Sequence, residues 1–160
     1  MIFLLLLSLV GTTAFALQDS GTVVQLFEWT YSDVEKECTF LSEKGFEGVQ
    51  VSPPQESIQG SQWWTRYQPV SYEIISRSGD EKDFVSMINK CKSLGVNVIV
   101  DVVMNHMAQG SGVGSGGTSY GGRSYLNYTA DDMHHNDGDD SSNCVVNNYQ
   151  DLRNVQYCGT

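Results

Sequence analysis

Hydrophobic positions in the first two-thirds of the chain fall into blocks whose spacing alternates between that of a strand and that of a helix. Thr22 to Trp29 (TVVQLFEW) is rich in β-branched and aromatic residues, the composition of a strand. Val34, Cys38 and Leu41 then recur at helical spacing. Ser32 and Glu35 stand where a capping box would open that helix, and Gly45 suits its end. Gly48 to Ser52 (GVQVS) reads as a second strand closed by Pro53-Pro54, and an aromatic-rich loop follows. A second helix, capped by Asp80 or Ser78, presents Phe84, Met87, Ile88, Cys91 and Leu94 on one face and stops at Gly95. Asn97 to Met104 (NVIVDVVM) reads as a third strand, its nearly unbroken apolar run being that of a parallel strand buried on both faces. The order β-α-β-α-β, with single helices between strands, predicts an α/β fold of parallel neighbours joined by right-handed crossovers.

The pattern dissolves after His106. Seven of the thirteen residues from Gly110 to Gly122 are glycine, so no regular element is expected there, and Asp131 to Asn143 is rich in Asp and Asn. Residues 107–160 read as a loop-rich excursion and not as a fourth β-α unit. At the other end, Ile2 to Val10 is apolar but for Ser8, and Ala14-Phe15-Ala16 is a small-x-small cleavage site. Residues 1–16 therefore read as a secretory signal peptide, too short for the ~20 apolar residues of a membrane span.

Export changes the meaning of the four cysteines, which in an oxidising compartment can form two bridges. Three pairings are open, and the simplest joins Cys38 with Cys91, on the two helices, and Cys144 with Cys158. No spacing gives CxxC, which argues against zinc. Asn127-Tyr128-Thr129 is an acceptor sequon for N-glycosylation. The 160 residues, 40% hydrophobic and 18% charged, have the composition of one globular domain. Nine basic against nineteen acidic side chains leave a net charge of −10, which repels phosphate backbones and excludes nucleic acid as a partner. No second apolar stretch is long enough to cross a bilayer, so no membrane partner is expected either.

Three groups of residues carry candidate chemistry. Asp101 lies inside an apolar strand, where a carboxylate needs a partner. Asn105 and His106 follow at the strand's C-terminal end, the face on which α/β barrels build their sites. The Asn105 side-chain oxygen suits a hard cation such as calcium, and His106 can donate to a substrate hydroxyl. Trp63-Trp64, Tyr67 and Gln68 combine flat aromatic faces with an amide, which suits a sugar. His134-His135 sits in an Asp-rich stretch that fails the calcium-hand spacing and reads as a solvated acidic loop. The glycine run lacks the GxxxxGK[ST] pattern, and no GxSxG elbow is present.

Five segments, LFEW (Leu26–Trp29), KGFEGVQVSPP (Lys44–Pro54), WWTRYQPVSY (Trp63–Tyr72), RSGDEKDF (Arg77–Phe84) and DVVMNHM (Asp101–Met107), together resemble the α-amylases of animals. The resemblance implies a calcium-dependent, retaining enzyme that cleaves internal α-1,4-glucosidic bonds in starch, glycogen and malto-oligosaccharides, secreted and monomeric at full length. It implies a (β/α)8 barrel with a loop-rich B domain after the third strand. Residues 17–106 would then be the N-terminal part of the barrel, and residues 107–160 part of the B domain. A whole barrel takes about 250 residues, so three parallel strands and two helices of an incomplete barrel are expected.

By motif, Trp63, Trp64, Tyr67, Gln68 and His106 match glucose-subsite positions, Asn105 matches a calcium ligand, and Arg153 resembles an arginine that offers calcium its main-chain carbonyl. Cys38 and Cys91 match a paired disulfide. Val155 stands where the family usually carries a cysteine, with Cys158 following later in the chain. The family's nucleophile, acid/base and chloride site would lie beyond Thr160, so no catalytic residue is assigned here, and Asp101 and Glu28 are not candidates. The resemblance thus predicts a segment that holds substrate and calcium but is inactive by itself. The alternatives are a secreted, non-catalytic starch-binding or decoy protein, and a related α-glucosidase or transglycosylase.

Overall fold

The computed structural model describes residues 21–132, 148 and 150–153. The signal-peptide segment, His134-His135, Cys144 and Cys158 lie outside the described residues. The chain opens with β1 (Thr22–Leu26), α1 (Tyr31–Glu43) and β2 (Phe46–Val51). A three-stranded antiparallel sheet follows: β3 (Gln55–Ser57), β4 (Pro69–Ser76) and β5 (Gly79–Asp80). Then come α2 (Glu81–Ser93), β6 (Asn97–Val100) and a hairpin of β7 (Ser111–Val113) and β8 (Ser119–Gly121). β1, β2 and β6 form a parallel sheet in the order β1-β2-β6. The three parallel strands and two helices expected from the sequence are therefore present. No helix among the described residues is long and apolar enough to cross a membrane.

One face of the parallel sheet is covered by both helices. Leu26, Val49 and Val51 from the strands pack with Tyr31, Val34, Cys38 and Leu41 of α1 and with Phe84, Met87 and Cys91 of α2. Cys38 and Cys91 are joined by a disulfide across the two helices, with Cα atoms 5.0 Å apart. The helix ends follow local chemistry. Asp80 caps α2 in a reciprocal box with Asp83, accepting from its backbone N–H at 3.0 Å. Gly45 and Gly95 follow the last turns of α1 and α2 at φ +77°, a conformation that favours glycine.

Several expectations need correction. The cap of α1 is Thr30, not Ser32: Thr30 is extended, its Oγ1 accepts from the Asp33 N–H at 3.2 Å, and its hydroxyl donates to Asp33 Oδ2 at 2.8 Å. The fully buried Tyr31 belongs to the core, so the helix starts two residues earlier than the polar pattern suggests. The first strand ends at Leu26, before the turn that carries Glu28. The third parallel strand stops at Val100. Beyond it the Asp101 N–H still reaches the Val51 carbonyl at 3.3 Å. The side chain, however, is taken by Tyr67 and the backbone leaves the ladder. Among the described residues β6 pairs only with β2, so Val98, Ile99 and Val100 are half-buried and not enclosed on both faces.

The remaining correction concerns the two segments read as loops. The connection after β2 holds β3 and β4, and β3 carries no hydrophobic signal because Gln55, Glu56 and Ser57 are polar yet all buried. The glycine run forms the β7–β8 hairpin. Its glycines allow close approach: the Gly116 and Thr118 N–H groups donate to Glu56 Oε1 at 2.8 and 3.0 Å. A Cβ on Gly116 would lie 3.0 Å from that oxygen and 2.6 Å from Ile75 Cγ2.

Candidate glucan-binding site

The strands of the parallel sheet end on one side, and the segments that leave them there build the site. Between β3 and β4 the chain makes a 3-10 turn, Trp63–Tyr67. Its inner residues Thr65 and Arg66 are buried, whereas Trp63 and Trp64 are 57% and 48% exposed. Trp63 and Trp64 thus face outward while Thr65 and Arg66 are held inward. Trp63 makes an edge contact with Tyr67 at 5.9 Å between ring centres and a tilted contact with Phe27 at 6.2 Å. The result is a continuous aromatic surface.

Polar groups line its margin. The Tyr67 hydroxyl donates to Asp101 Oδ2 at 2.6 Å. Burial and this carboxylate together push the Tyr67 phenol up to about 12, so it remains a donor across the physiological range. Asp101 thereby has the partner that a carboxylate in this position requires. His106 Nε2 lies 2.8 Å from the Tyr67 carbonyl, which makes that nitrogen the donor and leaves Nδ1, 3.5 Å from the Asn105 amide nitrogen, as the acceptor. Gln68 Oε1 accepts from the Gln109 N–H at 3.1 Å. Loop and turn are therefore stitched together at Tyr67, Gln68, Asp101, His106 and Gln109.

Asn105 and His106 line a cavity of about 530 Å³ with Tyr72, Met104, Tyr128 and Asp132. Burial raises the Tyr72 hydroxyl, which donates to the Val103 carbonyl at 3.0 Å. Asn105 is exposed, and its amide oxygen is a neutral oxygen donor of the kind calcium takes. Arg153 is exposed, its N–H donating to Asp151 Oδ1 at 2.9 Å. No group of three or more His, Cys, Asp or Glu side chains suited to a metal occurs among the described residues. Asn127 is exposed beside Tyr128, as a glycan acceptor must be.

Sequence reasoning passed over the residues that support this surface. Arg66 and Arg77 tie the turn down from beneath and from its rim, and Glu28 links them. Glu56 fixes the β7–β8 hairpin. The signal available was charge placed inside an aromatic segment, since Arg66 stands between Trp64 and Tyr67 and cannot be left unpaired there.

Parallel strands under two helices, with aromatic, amide and imidazole groups gathered after the strand ends, make the kind of strand-end surface on which α/β folds bind ligands. The family model described as alpha amylase, catalytic domain, matches residues 32–153. An alpha-amylase of Streptomyces violaceus is 50% identical over 135 residues, covering 83% of this chain and 23% of that protein. One from Tribolium castaneum is 46% identical over 145 residues, covering 88% and 29%. A mutant of alpha-amylase I from Eisenia fetida, solved as a maltohexaose complex, superposes with a TM-score of 0.75 at 41% identity, covering 86% of this chain and 30% of that one. The chain belongs to the alpha-amylase family, a family of glycoside hydrolases. It spans between 23% and 34% of the length of the curated relatives it matches.

Proposed function

We propose that this chain supplies the substrate-holding side of a secreted enzyme that hydrolyses internal α-1,4-glucosidic bonds in starch, glycogen and malto-oligosaccharides. The observation that carries the reading is the pair Trp63-Trp64, both exposed on a turn whose Thr65 and Arg66 side chains are buried. Two adjacent indoles facing solvent cost hydration free energy unless a ligand covers them, and the apolar faces of glucose rings are a fitting cover. Tyr67, Gln68 and His106 stand at the margin where sugar hydroxyls would fall.

Retaining hydrolysis needs two carboxyl groups about 5–5.5 Å apart. The carboxylates nearest the platform are already engaged: Glu28 by two arginines, Glu56 by backbone N–H groups and a serine, and Asp101 by Tyr67. None of them is assigned as nucleophile or acid, and these 160 residues alone are expected to release no reducing sugar from starch. The same engagement favours the second reading, a non-catalytic starch-binding protein. In either case calcium would be held by the Asn105 side-chain oxygen and the Arg153 carbonyl, linking the loop after β6 to the excursion. Chloride has no assigned ligand here. Residues 1–16 as an export signal, an N-glycan on Asn127 and a bridge between Cys144 and Cys158 complete the proposal, consistent with the Cys38–Cys91 disulfide.

The test is adsorption to insoluble starch, with release of reducing sugar measured on the same samples. Saturable adsorption is expected, weakened at least about tenfold in Trp63→Ala/Trp64→Ala. Adsorption that is absent, or equal in the double variant, removes the platform from the reading. Adsorption with hydrolysis by the 160 residues alone would show that one of the engaged carboxylates had been misjudged.

A further inference from the structure

Glu28 contributes no group to the aromatic surface itself, yet it sits in an unusual conformation. It is one of two described non-glycine residues with positive φ, at +67°. Such strain persists only where surrounding contacts over-determine the backbone, and it concentrates at functional sites. Three contacts hold it. The Glu28 N–H donates to Ser52 Oγ at 2.8 Å. Its Oε2 takes Arg77 Nη2 at 2.6 Å and its Oε1 faces Arg66 Nη1 at 3.4 Å.

Both arginines act on the turn that bears the tryptophans. Arg66 belongs to it, has a side chain only 1% exposed, and donates to the Pro53 carbonyl at 2.7 and 3.2 Å and to Ser78 Oγ at 2.8 Å. Arg77 comes from the β4–β5 corner and donates to the carbonyl of Gln62, which caps the turn, at 3.2 Å, and to Thr65 Oγ1 at 2.8 Å. The strained residue also places its neighbour Phe27 against the Trp63 ring.

We propose that Glu28 is a positioning residue for the Trp63–Trp64 surface. Its carboxylate couples the two arginines that pin the turn at its capping carbonyl and its interior, and its left-handed backbone seats Phe27 against Trp63. The indoles are thereby fixed before sugar arrives, and a preorganised surface binds more tightly because less freedom is lost on binding. The inference rests on the glucan-binding reading. Glu28 touches no substrate and takes no part in bond cleavage.

The experiment uses the protein at its native length, with maltohexaose as the probe in calorimetric titration and near-ultraviolet circular dichroism of tryptophan as a second readout. Glu28→Gln preserves shape and removes the charge, and is expected to weaken maltohexaose binding about tenfold and to flatten the tryptophan bands with the far-ultraviolet spectrum unchanged. Should Glu28→Gln fail to fold, Arg77→Met, which removes the partner at the rim, takes its place with the same expectation. A folded variant that binds within about twofold of the unsubstituted protein overturns the inference. Trp63→Ala separates the two levels. If it abolishes binding while Glu28→Gln does not, only the positioning role falls. If it too leaves binding intact, the glucan-binding reading falls with it.

Discussion

Glu56→Ala is expected to lower the unfolding free energy by about 3 kcal/mol at neutral pH. The side chain is fully buried in β3, and its carboxylate accepts from the Ser71 hydroxyl at 2.6 Å and from the Gly116 and Thr118 N–H groups. Truncation leaves those donors without their acceptor. Three hydrogen bonds to an ionised group make this site more costly to remove than a neutral pair. The hairpin would lose its attachment first, because β7 and β8 otherwise meet the rest of the fold through short contacts such as Ser115 N–H to the Ser57 carbonyl at 2.8 Å.

The same residue sets a pH dependence. Burial alone would raise the Glu56 carboxyl, but the Ser71, Thr118 and Gly116 donors outweigh it and hold it below the usual carboxylate range. With the folded pKa depressed, the stability it contributes is fully present above the unfolded value of about 4.3. That contribution is lost as pH falls through the folded pKa. Urea unfolding followed at neutral pH and across the acid range checks both claims. The unsubstituted protein should lose more stability on acidification than Glu56→Ala does. Equal acid slopes, or a difference at neutral pH within about 0.5 kcal/mol, would show that the hairpin does not depend on this carboxylate.

Periodicity made the parallel layer legible, and polarity hid the rest. Val34, Cys38 and Leu41 of α1, and Phe84, Met87 and Cys91 of α2, announce their faces because one side of each helix meets the sheet and the other meets water. β3 gives no such sign: Gln55, Glu56 and Ser57 are buried by virtue of hydrogen bonds, which a hydrophobic pattern does not register. The β7–β8 hairpin was obscured by glycines whose purpose is close approach to Glu56, a partner sixty residues away from Gly116. The tryptophans, Tyr67, Gln68 and His106 were visible as residue types suited to a sugar. Their supports were not, because Glu28, Arg66 and Arg77 come from three separate segments and acquire meaning only when folding brings them together. Asp101 lay between the two cases. Its need for a partner could be read from the strand, but Tyr67 as that partner could not.

Opening the Cys38–Cys91 bridge is expected to cost about 4 kcal/mol, the chain-entropy value for a loop of this length. The cysteines are separated by 53 positions, so the bridge restrains a large part of the unfolded chain. Both are fully buried where α1 packs on α2, within the cluster that includes Val34, Leu41, Phe84 and Met87. Reduction therefore releases the unfolded state without offering the native core a compensating contact. Cys38→Ala/Cys91→Ala is the cleaner variant, since serine would bury two hydroxyls. Urea unfolding of that variant should show a lower midpoint, and a reductant should destabilise the unsubstituted protein by more than it destabilises the variant. Coincident midpoints for the two proteins would mean that helix packing alone holds the layer. Because the disulfide shares no hydrogen-bond partner with Glu56, its loss and that of Glu56 should add, and a combined variant losing far less than the sum would reveal coupling between the parallel layer and the hairpin.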